Sequence, residues 1–123
     1  GLNAGISNQG YNGIAIGGSA GSGQGQYSIA MGYDSGNQQG NYSVAIGNQA
    51  GKGNTSSIGI NSIMIGNKAG YESGAANSIV LNASGGNLSS AASGLYINPV
   101  RYTATQDSTY DGLMFYNSST KER

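Results

Sequence analysis

The chain has 123 residues, with 23 Gly, one Pro, one Phe and no Cys, His or Trp, and its five basic and five acidic residues cancel. This composition excludes a disulfide or thiolate-metal framework, imidazole-based catalysis and the basic stripe that nucleic-acid binding requires. It also lacks the run of about 18 apolar residues that a membrane-spanning helix needs, and no charged-then-apolar leader opens it, so no membrane insertion is expected.

So much Gly, Ser, Asn and Gln would ordinarily mean disorder, because too little apolar surface is available to offset chain entropy. The placement of the apolar residues argues otherwise. Ile14-Ala15-Ile16-Gly17, Ile29-Ala30-Met31-Gly32 and Val44-Ala45-Ile46-Gly47 begin fifteen residues apart. Looser copies follow at Ile63-Met64-Ile65-Gly66 and Ile79-Val80-Leu81-Asn82, with spacings of nineteen and sixteen. A unit this short is one rung of a stacked solenoid that buries its apolar face against its neighbours. With parallel strands about 4.8 Å apart, five rungs predict a rod segment of roughly 24 Å.

Within each rung large and small residues alternate, the period of a strand whose faces meet different surroundings. Placing the larger residues inside predicts a coil core of Ile14, Ile16, Ile29, Met31, Val44, Ile46, Ile63, Ile65, Ile79 and Leu81. The other face then carries Ala15, Ala30, Ala45, Met64 and Val80. Small apolar residues are unusual on a strand face left to water, so this face is expected to form a subunit interface near a symmetry axis. The growth to Met64 and Val80 predicts that the gap between chains widens toward the carboxyl end.

Gly17, Gly32, Gly47 and Gly66 close the strands, and Asn82 replaces Gly in the last copy. Since Asn tolerates positive φ best among non-glycine residues, a left-handed corner is expected there. Ala20-Gly21, Ser35-Gly36, Ala50-Gly51 and Ala69-Gly70 mark a second corner in each rung. Ile58-Gly59-Ile60-Asn61 reads as an irregular rung or bulged loop.

Residues 1–93 are thus assigned to a repetitive β-solenoid and residues 94–123 to a small carboxyl-terminal β cap. In the cap, Leu95 to Tyr102 and Leu113 to Asn117 read as strands joined by the polar loop Thr103 to Gly112. Pro99 argues against a central strand position, because it removes a ladder donor.

No catalytic, cofactor or metal site is read from these residues. Asp107 and Asp111 sit in a Thr- and Ser-rich loop, and Asp34 and Glu72 fall in corners of different rungs, so neither pair is assigned acid and base roles. Gly17 to Gly23 has the glycine count of a phosphate loop without its Lys-Ser/Thr. The sequons at Asn41, Asn54, Asn82, Asn87 and Asn117 carry little weight in a chain so rich in Asn and Ser. Tyr11, Tyr27 and Tyr42, each just before a rung, suggest an aromatic ladder, with structural packing favoured over stacking against sugars.

Two groups of residues carry a resemblance. The Ser-Ile/Val-Ala-Ile-Gly rungs with their following Ala-Gly resemble the head repeats of trimeric autotransporter adhesins. The runs Asn77 to Gly85, Gly94 to Arg101 and Leu113 to Glu122 resemble fibre or spike proteins of large algal DNA viruses and some phages. The resemblance implies a left-handed parallel β-roll homotrimer on a virion surface that attaches to host-cell glycans. In such proteins an endosialidase-type intramolecular chaperone commonly follows and is cleaved off. A bacterial adhesin head at the outer-membrane surface is the alternative, and a glycan-degrading tail spike ranks below both.

Overall fold

A computed structural model describes residues 1–53 and 59–99. Over these residues the chain is an all-β solenoid of parallel strands, and it contains no helix. Strands β1 (Ile14–Ile16), β2 (Ile29–Met31), β3 (Val44–Ile46), β4 (Ile63–Gly66), β6 (Ser78–Asn82) and β8 (Gly94–Asn98) form one six-stranded sheet in that order. Strands β5 (Ala69–Gly74) and β7 (Leu88–Ser90) pair in a second, two-stranded sheet on another side of the coil.

The repeat is the register. Ile14 pairs with Ile29, Ile29 with Val44, Val44 with Ile63, Ile63 with Ile79 and Ile79 with Leu95, with every following residue in step. Strand β8, which the sequence reading assigned to the cap, is therefore a further strand of the solenoid sheet, paired in parallel with β6. Pro99 falls just beyond it. The rest of the expected cap, residues 100–123, lies outside the described residues, as does Ile58 of the expected irregular rung.

Hydrogen bonds join the rungs at the corners as well. The Gly21 N–H donates to the Ser35 carbonyl, Gly36 to Ala50 and Gly51 to Ala69, each at 2.8 Å. Gly21, Gly36, Gly51 and Gly70 have φ of 70°, 62°, 60° and 66°, which meets the expected second corner. The first corner at Gly17, Gly32, Gly47 and Gly66 is also left-handed, with φ from 114° to 133°.

The two strand faces are the reverse of the sequence expectation. Ala30, Ala45, Met64 and Val80 are fully buried and Ala15 is partly buried, all toward the inside of the coil. Ile14, Ile16, Met31, Ile46, Ile63, Ile65 and Ile79 are exposed, and Ile29, Val44 and Leu81 are half-buried. The proposed coil core is therefore the outer face, and the proposed trimer interface is the coil interior.

The physical reason is the width of the coil. A Cβ on Gly36 would stand 2.5 Å from the Ala30 Cβ, one on Gly21 2.8 Å from Ala15, and one on Gly51 2.9 Å from Ala45. In these three turns alanine faces glycine, and the space between them leaves no room for isoleucine. The change to Met64 and Val80 marks a filling of the coil itself, where they pack with Ala69, Leu88 and Tyr96.

Polar side chains supply the remaining interior. Ser28, Ser43, Ser62 and Ser78 stack at the strand entry, all buried. The Ser43 hydroxyl lies within donating distance of the Asn41 and Gly59 carbonyls, at 3.1 and 3.2 Å, and accepts from the Ser62 N–H at 3.2 Å. Buried Gln24 and Gln39 donate to the carbonyls of Ile14 and Ile29 at 3.1 and 3.3 Å. This pattern follows from the thin coil, since each turn leaves carbonyls pointing inward that only short hydroxyls and amides can reach.

Asn82 departs from the expected corner geometry. It has no positive φ, unlike the four glycines above it in the column. Its buried side chain takes over instead: Nδ2 donates to the carbonyls of Asn67 and Gly86 at 2.7 and 2.6 Å, and Oδ1 accepts from the Ser84 N–H and hydroxyl at 3.1 and 2.7 Å.

Candidate functional site

The outward side of the six-stranded sheet carries two aliphatic columns. Because strand residues two apart share a face, Ile14, Ile29, Val44, Ile63, Ile79 and Leu95 form one column. Ile16, Met31, Ile46, Ile65, Leu81 and Ile97 form the other. Nine of these twelve side chains are more than a third exposed, from 37% at Ile46 to 53% at Ile16. Contiguous exposed apolar surface of this kind makes the sheet face a candidate interaction face. No charged residue belongs to either column.

At the carboxyl-terminal end the second column runs into an apolar groove of about 290 Å³. It is lined by Ile65, Leu81 and Ile97 on the sheet and by Ala83, Asn98 and Pro99 beside them. Asn82, whose side chain bonds Gly86 and Ser84 at the corner after β6, also lines the groove.

The charged side chains Asp34, Lys52 and Lys68 lie on another arc of the coil. Lys52 Nζ lies 2.5 Å from Asp34 Oδ2, and Asn37 donates to Asp34 Oδ1 at 3.2 Å. The hydrogen bond to Asp34 holds the Lys52 ammonium above the ordinary lysine range, although partial burial works against it. Lys52 and Lys68 both stand over the Tyr71 ring, 5.9 and 5.8 Å from its centroid. Among the described residues no group of three or more His, Cys, Asp or Glu is placed to hold a metal ion, and no helix is long and apolar enough to cross a membrane.

The expected tyrosine ladder is present as a pair. Tyr27 and Tyr42 stack with centroids 5.5 Å apart and planes 2° from parallel. Tyr11 stands one position away: the Tyr27 N–H bonds to the Tyr11 carbonyl, which places Asn12 in line with Tyr27. The offset was legible, since Tyr11 precedes its strand by three residues and Tyr27 and Tyr42 by two.

Sequence reasoning missed the site by assigning hydrophobic size to the interior. The available signal was the glycine of the second corner, which at Gly21, Gly36 and Gly51 faces alanine and at Gly70 makes room for Met64. No protein-family model matches the chain, and no curated protein or solved structure matches it.

Proposed function

We propose that this chain is a structural segment of a homotrimeric fibre or spike in which three copies pack through the two aliphatic columns. The single observation that carries the reading is the exposed aliphatic face of the sheet. Each rung presents the same pair of side chains at the same spacing, so the partner that matches it rung for rung is another copy running in parallel. Covering one such half-exposed side chain contributes roughly 0.5–1 kcal/mol. Twelve of them contribute on the order of 10 kcal/mol per chain, enough to offset much of the roughly 4–15 kcal/mol lost in association.

The resemblance to trimeric adhesin head repeats sets the number of copies at three, and the cap-like sequence favours a virion surface over a bacterial one. A stiff rod with an apolar inner seam and a polar outer surface suits presentation of a host-attachment surface to cell-surface glycans. With neither His nor Cys in the chain, the reading is structural rather than catalytic. Sedimentation equilibrium tests it: a mass three times the 12.3 kDa of one chain is expected, and a stable folded monomer overturns it.

A further inference from the structure

The column that precedes the sheet holds Asn12, Tyr27, Tyr42, Asn61 and Asn77, all left-handed with φ between 55° and 57°. Asn is among the residues that adopt this region most readily, whereas a bulky aromatic there is strained. Two adjacent rungs nevertheless carry tyrosine. The rings do not fill the interior, since Tyr27 is 52% and Tyr42 59% exposed. They form a flat stacked pair open to solvent.

We propose that Tyr27 and Tyr42 form a binding platform for an uncharged saccharide. The class follows from the surroundings. A pyranose ring has an apolar C–H face that packs on an aromatic face, and its hydroxyls seek amides and phenols at the margin. Tyrosine supplies rigid amphipathic contact at small entropic loss. The exposed Gln26 and the partly exposed Asn41 stand one position before the rings, and Asn12 and Asn61 continue the column above and below. The Asn41 side chain is already ordered, accepting from the Gln26 N–H at 2.8 Å. No charged side chain occurs in residues 1–33, and Asp34 and Lys52 pair on the arc after the strand. Sialylated or sulfated sugars would therefore find no cation here, while neutral hexoses and N-acetylhexosamines meet the platform directly.

This inference rests on the attachment reading, and its test separates the two. The intact oligomer is screened against β-linked glucose, galactose and N-acetylglucosamine oligosaccharides and against sialylated and sulfated ones, with saturation-transfer NMR reporting the contacted sugar protons. Alongside it runs the double variant Tyr27→Asn/Tyr42→Asn, which restores the residue used elsewhere in the column. The expected result is binding of neutral sugars, a loss of roughly tenfold or more in affinity in the variant, unchanged oligomeric mass, and a melting temperature equal to or above that of the parent as the backbone strain is relieved. Neutral-sugar binding that survives in the variant overturns the platform and leaves attachment standing. So does binding confined to charged sugars. Binding to no sugar overturns both. A variant that melts lower or dissociates shows the rings to be a structural or subunit contact, which also overturns the platform.

Discussion

Ala30 and Gly36 face each other across one turn of the coil so closely that a Cβ on the glycine would stand 2.5 Å from the alanine Cβ. The relationship repeats at Ala15 with Gly21 and at Ala45 with Gly51. Overfilling this interior forces strained side chains and a shifted backbone. Ala30→Leu is expected to destabilise the fold by about 3 kcal/mol or more, and Ala30→Arg to prevent folding altogether. Circular dichroism melts check both. Retention of the β signal with loss of oligomer in Ala30→Arg would instead restore the alanines to an interface.

Charge on the outer columns should act on assembly alone. Ile46→Lys leaves the coil interior untouched, because Ile46 is 37% exposed in the single chain. Its expected effect is a fall in sedimenting mass toward 12.3 kDa with β content retained.

The serine column is expected to be sensitive to loss of a single hydroxyl. Ser43→Ala leaves the buried Ser62 N–H without its 3.2 Å acceptor and removes the donor near the Gly59 carbonyl. A buried polar group left unpaired costs about 1–3 kcal/mol. Denaturant titration should show that loss, and Ser43→Gly should not recover it, as a glycine there supplies no hydroxyl.

Asn82 separates two accounts of a corner. If positive φ were its role, Asn82→Gly would be neutral. Its φ is not positive and its side chain makes four hydrogen bonds. Asn82→Gly and Asn82→Ala should therefore destabilise alike, by about 2 kcal/mol, as read from the melting temperature of each.

Stability should change little between pH 5.5 and 7.5, because the chain has no His or Cys to titrate there. Lys52 is held charged above its usual 10.5 by Asp34. A group with a raised folded-state value contributes fully below its unfolded value and loses that contribution as pH rises through the folded one. The Lys52–Asp34 contribution is thus expected to fade only above about pH 10.5, and Lys52→Met should remove that alkaline component from the melting curve. Being a partly exposed pair, it is a small one.

Strand positions and register were legible because hydrogen bonding forces successive turns to align, and the fifteen-residue interval states the length of a turn directly. Ile14 and Ile29 were placed opposite each other correctly for that reason. Which face was inside was not legible from Ile29 and Ala30 alone, as alternation fixes two faces without saying which one meets water. Gly36 decides the matter, and only once the chain is closed into a turn does it lie opposite Ala30. Asn82 misled in the same way: the residue type fits both a left-handed backbone and a side-chain-bonded turn. The tyrosine pair was half visible, with the stack of Tyr27 on Tyr42 anticipated and the offset of Tyr11 overlooked.

The in-register joining of β1, β2 and β3 means that each turn begins where the last one began, with the same chemistry above and below. Genetic exchange between misaligned copies of the repeat can then add or remove a whole turn without creating a seam. Such a protein changes its reach in discrete increments of about 4.8 Å while every surviving residue keeps its neighbours, so selection can adjust the distance it spans separately from the surface it displays.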